Sequence, residues 1–171
     1  MVAGPDARSL RLESLRSARL DQAQRQELLS GETECTVCFV DDSGWPGGVV
    51  MNYVHDDGRF WLTAVEGRSQ VVAIERDPRV TVVVSRRRPR AMVAFRGRAR
   101  VHRDPVIIQP WLDTFSRAWR YSHQDEFRTL LDTPNRVVIE VCDLVVAVSH
   151  DHRKLGDPTS APAEVGRDPN E

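Results

Sequence analysis

Gly67, Arg68, Ser69 and Gln70 stand at the start of a short helical stretch, and their types and spacing suit the binding of an anion. The first turn of a helix carries unpaired backbone N–H groups and a partial positive charge. Here that turn also presents a guanidinium, a hydroxyl and an amide side chain, so a phosphate meets donors on every side. The plainer reading is that Ser69 caps the helix and Arg68 is solvated.

Other chemically suggestive groups are weaker. Cys35 and Cys38 form C-x-x-C, but residues three apart on an extended strand point to opposite faces, and no second cysteine pair exists. The odd count of three cysteines does not make a disulfide framework. His150-Asp151-His152 has metal-ligating residue types but reads as a hydrated loop, and no metal site is assigned. The run Arg86-Arg87-Arg88-Pro89-Arg90 and the stripe Arg96, Arg98, Arg100 are basic. With no stacking aromatics among them and a net charge of −1, they argue against nucleic acid as a partner. Tyr53, His55, Trp61 and His150 are candidate pocket residues, although such aromatics are more often core. No catalytic acid or base stands out.

The elements that must position these groups follow from periodicity. Residues 1–9 read as a flexible arm. Leucines at 12, 15, 20, 28 and 29 among Arg, Gln and Glu predict one or two amphipathic helices over Leu10 to Leu29, stopped by Ser30-Gly31. Strands are expected over Thr33 to Val40 and Val49 to Val54, joined by the turn cluster from Asp41 to Gly44. After His55-Asp56-Asp57-Gly58, Phe60 to Leu62 open a third strand. Val71 and Ile74 then lie on one face of a short helix, Gln70 to Arg76, ended by Asp77-Pro78, and Val80 to Val84 form the next strand.

Ala91 to Arg103 alternates with period two: Phe95, Gly97, Ala99 and Val101 face one way and the arginine stripe the other. Helices are expected after Asp104-Pro105 and from Gln124 to Leu131. A last strand runs from Arg136 to Ser149, bent near Asp143. The end, 156–171, is rich in Pro, Gly and charge and reads as a disordered tail, leaving 10–155 as the folded domain. This count of elements gives a mainly β (α+β) barrel or sandwich with peripheral helices.

At 171 residues and 40% hydrophobic, the chain suits a single core. No apolar run approaches the roughly 20 residues that span a bilayer. The start lacks an apolar h-region, so a soluble, cytoplasmic protein is expected.

The order of features resembles the pyridoxamine 5′-phosphate oxidase-like family, flavin-binding split barrels that include deazaflavin-dependent reductases. The similar pieces are Gly44-Trp45-Pro46, Asp57-Gly58-Arg59-Phe60-Trp61-Leu62-Thr63, Arg76-Asp77-Pro78-Arg79-Val80, Arg96-Gly97-Arg98-Ala99-Arg100-Val101 and Val148-Ser149-His150-Asp151 with Arg153-Lys154-Leu155. The resemblance implies a six-stranded antiparallel split β-barrel and a homodimer with two cofactor sites at its interface. It implies FMN or the 5-deazaflavin coenzyme along the second strand, at Val49, Val50, Met51 and Asn52. The phosphate would lie at Leu62, Thr63, Arg68, Ser69 and Gln70, with the Thr63 hydroxyl contributing.

Family members that bind FMN tightly read Ser-Arg-Lys where this chain has Arg68-Ser69-Gln70, and the oxidases' partner-subunit glutamine is replaced near Met92. One lost charge-assisted contact weakens a phosphate site by about 1.5–3 kcal/mol. The implied activity is flavin- or deazaflavin-dependent oxidoreduction of a small molecule. The alternative is a non-catalytic flavin-, deazaflavin- or haem-binding protein on the same fold.

Overall fold

Burial alternates along most strands of this chain, so each has one face to bury and the sheet closes into a barrel. The computed structural model describes residues 18–118 and 123–155. The expected arm over 1–9, the first part of the helix expected from Leu10 and the tail over 156–171 lie outside the described residues.

Six antiparallel strands form the barrel: β1 (Glu34–Val40), β2 (Pro46–Asp56), β3 (Arg59–Val65), β4 (Arg79–Arg86), β5 (Ala91–His102) and β6 (Arg136–Asp151). Around the barrel their order is β1-β2-β3-β6-β5-β4, with β4 closing on β1. Among the described residues four α-helices accompany them: α1 (Gln22–Gly31), α2 (Ser69–Arg76), α3 (Pro105–Ala118) and α4 (Gln124–Leu131).

Val37, Phe60, Leu62, Val82, Val84, Val93 and Ile139 fill the interior. Leu28 and Leu29 of α1 and Val71 and Ile74 of α2 belong to the same core. Helices α3 and α4 lie on the outside, where Ile108, Leu112, Phe115 and Leu131 pack on Val138 and a stacked Trp61–Trp111 pair, 4.2 Å between ring centres.

Several boundaries differ from expectation. Helix α1 runs through Ser30 and Gly31, because the Ser30 hydroxyl donates back to the Gln26 carbonyl and the Glu32 N–H to Leu28. β2 is longer than Val49 to Val54; it continues into a two-residue turn in which Asp57 and Gly58 both take the left-handed conformation that hairpins favour. The His150-Asp151-His152 segment is not a loop: β6 reaches Asp151 and a 3₁₀ turn, His152–Leu155, follows. Its Asp151 N–H donates to the Ala18 carbonyl and its His152 N–H to Arg90, so backbone pairing extends the strand.

The alternation of β5 holds, with Phe95 and Ala99 buried and Arg96, Arg98 and Arg100 exposed. The bend at Asp143 is present as a residue at φ 54°, beside a register shift between Arg96 and Arg98. There the β5 backbone presses on β6: a Cβ on Gly97 would lie 2.8 Å from the Cys142 carbonyl oxygen, which is why the position carries no side chain.

Candidate functional site

The ladder between β2 and β3 is incomplete. Only Tyr53 to Asp56 of β2 pair with β3, although β2 extends back to Pro46 and there pairs with β1 alone. Had the register continued, Asn52 would face Thr63 and Val50 would face Val65. Instead a gap opens between the two strands.

Backbone direction along this gap follows from one hydrogen bond. The Tyr53 N–H donates to the Thr33 carbonyl on the β1 side. Because backbone groups alternate along a strand, those of Val49 and Met51 also face β1, whereas the N–H and C=O of Val50 and Asn52 face the gap. Side chains alternate across the other axis. Met51 is buried in the core, while Val50 and Asn52 lie on the outer face, Val50 being 64% exposed.

On the other wall, Leu62 is buried inside and Thr63 faces out. The Thr63 hydroxyl donates to the Val137 carbonyl at 3.1 Å, so its proton is committed to β6 while its lone pairs stay available.

The gap runs down to the start of α2. Arg68, not Ser69, is the N-cap, and no side chain caps the helix. The Arg68 carbonyl takes the N–H groups of Val71 and Val72, leaving those of Ser69 and Gln70 as the free donors of the first turn. Gln70, 9% exposed, sits against the body of the protein; Arg68 and Ser69 face solvent.

The charge near this turn is arranged by a residue that sequence spacing does not reveal. Arg103 binds both Glu66, at 2.7 Å, just before the helix, and Glu75, at 2.5 Å, in its last turn, so the acid nearest the helix start is neutralised. Arg68 has no ion pair among the described residues. At the far end of α2, Arg76 donates to the carbonyls of Val40 and Asp41 and ties the β1–β2 turn to the helix.

Of the residues singled out from sequence, Val49, Val50, Met51 and Asn52 lie on the part of β2 that does not pair with β3, Leu62 and Thr63 lie on β3, and Arg68, Ser69 and Gln70 lie at the start of α2, with Met51 and Leu62 buried in the core. The pocket candidates lie at other positions. Tyr53 is buried with its hydroxyl donating to the Leu29 carbonyl at 2.8 Å, and burial pushes its ionisation well above the usual phenol range. His55 packs edge-on against Phe60, and burial lowers its basicity. Trp61 is covered by Trp111, and His150 lies at the opposite end of the sheet from α2.

What sequence reasoning missed is a second polar cluster on the outer face. The buried Glu140 carboxylate binds Arg59 at 3.0 Å, His102 at 2.8 Å and Arg100 at 3.7 Å.

The family model for pyridoxamine 5′-phosphate oxidase matches residues 21–142. No curated protein matches the chain in sequence. Among solved structures, a conserved hypothetical protein of Mycobacterium tuberculosis is similar at TM-score 0.70 and 22% identity, over 89% of this chain and 96% of that one. A protein named F420 reductase is similar at TM-score 0.56 and 17% identity, over 70% and 94%. The haem storage protein HutZ of Vibrio cholerae is similar at TM-score 0.58 and 13% identity, over 73% and 93%. At these identities the structural likenesses establish the fold.

Proposed function

The chain belongs to the pyridoxamine 5′-phosphate oxidase family, and from that premise we propose that it is a flavin- or deazaflavin-dependent oxidoreductase passing hydride or electrons to a small-molecule substrate. The observation that carries this reading is the unpaired edge of β2 leading to an uncapped, positively charged helix start. The edge groups of Val50 and Asn52 suit the donor and acceptor rim of a planar ring. The Ser69 and Gln70 N–H groups and the Arg68 guanidinium suit its phosphate. A bound flavin or deazaflavin supplies its own hydride chemistry, so the protein has only to orient the ring and shape the approach of substrate.

Charge matching favours one version of the cofactor. A phosphate monoester carries about −1.5 to −2 at neutral pH, against one guanidinium and a helix start worth roughly +0.5. A phosphodiester, as in the 5-deazaflavin coenzyme, carries a single negative charge and fits that balance better. FMN is the second fit. The same thin cation count supports the alternative of a non-catalytic binder of flavin, deazaflavin or haem.

We further propose a cytoplasmic homodimer. Val50 on β2 and Val145, Val146 and Val148 on β6 form exposed apolar surface of a kind that a second copy would cover. Light scattering at micromolar concentration is expected to give the mass of two chains, and a stable monomer would sink the two-site arrangement.

The cofactor is tested by titrating the purified protein separately with FMN and with the deazaflavin coenzyme, following visible absorbance and fluorescence. We expect saturable quenching with both and tighter binding of the deazaflavin. A response to neither flavin, or a Soret band alone on adding haemin, would transfer the site to the binding-protein alternative.

A further inference from the structure

The outer face of the β5–β6 end carries three side chains, Met92, His150 and His152, with donor atoms for a metal. The imidazoles of His150 and His152 lie side by side, with ring centres 5.4 Å apart and planes at 57°. Neither makes a hydrogen bond among the described residues, in contrast to His102, which is bound to Glu140. Met92 is the direct cross-strand partner of His150, and both are half-buried on the same face. Directly opposite residues of an antiparallel pair have Cβ atoms about 4.5–5.5 Å apart, within reach of a flexible thioether.

We propose that His150, His152 and Met92 form a site for monovalent copper. With metal–nitrogen bonds of about 2 Å and a tetrahedral angle, two imidazoles on one ion put their ring centres roughly 5 Å apart, close to the spacing present.

Two features select the ion. A thioether beside imidazoles is a soft donor set, which suits Cu(I) better than the harder divalent ions. The surroundings are also positive. Arg90 lies next to the pair, Arg153 and Lys154 follow it, and the carboxylate between the two histidines in sequence, Asp151, is buried and committed to Arg153 at 2.6 Å. Repulsion from those cations is twice as large for a divalent ion as for a monovalent one.

The test is anaerobic competition for Cu(I) against bicinchoninate. It is run in a Cys38→Ser, Cys142→Ser background, because these half-buried thiols would compete. Cys35 stays in place, its thiol buried and pushed up to about 12. One Cu(I) per chain is expected, with affinity lowered at least about tenfold by His152→Gln and by Met92→Leu, and with no displacement by an equal concentration of Zn²⁺. Met92→Leu conserves volume on a half-buried position, so it keeps the fold if the histidine variant does not. Failure to withdraw copper from bicinchoninate overturns the site. So does affinity unchanged in Met92→Leu or in the His150→Gln, His152→Gln double variant.

Discussion

Glu140→Ala is expected to lower the free energy of unfolding by about 3 kcal/mol, read from urea denaturation at neutral pH. The carboxylate is 6% exposed and serves three partners on the two strands that flank β6: Arg59 on β3, and Arg100 and His102 on β5. Removing one member of a buried ion cluster costs about 3–5 kcal/mol because the remaining charges lose their compensation. The low end applies because Arg59 and Arg100 are 45% and 69% exposed and can turn to water.

The loss also reaches packing. His102 stacks on Trp61 at 6.0 Å, and Trp61 on Trp111 of α3, so the carboxylate helps fix the face on which α3 docks. Arg100→Ala is the internal control. Its 3.7 Å contact from an exposed side chain is worth under about 1 kcal/mol. Equal losses in the two variants would show that Glu140 is no more than a surface partner.

That cluster marks where sequence reading stops. Glu140 sits among Val137, Val138, Ile139 and Val141, and its neighbours on the page are all apolar. Its partners come from residues 59, 100 and 102, brought together by β3 and β5 flanking β6. Nothing in local spacing encodes a three-strand adjacency.

By contrast, β5 was legible because alternation is local: Phe95 and Ala99 against Arg96, Arg98 and Arg100 fix which face turns inward without reference to any partner. The helix α2 was legible for the same reason, through Val71 and Ile74, and its cap was not. Whether Arg68 or Ser69 ends the extended backbone depends on where the chain leaves β3, and the Arg68 N–H donating to Val65 settles that. The gap itself needs the register of two ladders at once, which no single stretch contains.

Arg68→Ala is expected to weaken FMN by ten- to a hundredfold, about 1.5–3 kcal/mol, in the same fluorescence titration. Glu66 and Glu75 are held by Arg103, so Arg68 is left as an unpaired cation at the helix start. Its side chain makes no capping hydrogen bond and is exposed, so alanine leaves the helix and the barrel as they are.

Riboflavin, which has the ring and no phosphate, isolates the effect. Its affinity should be the same for both proteins, because the backbone edge of Val50 and Asn52 is untouched. The ratio of FMN to riboflavin affinity, rather than either value alone, therefore reports the phosphate contact. A ratio unchanged by the substitution would remove Arg68 from the site and leave the phosphate to the N–H groups of Ser69 and Gln70. Equal weakening of riboflavin and FMN would mean that Arg68 acts on the ring, and that the gap binds its ligand in the opposite direction.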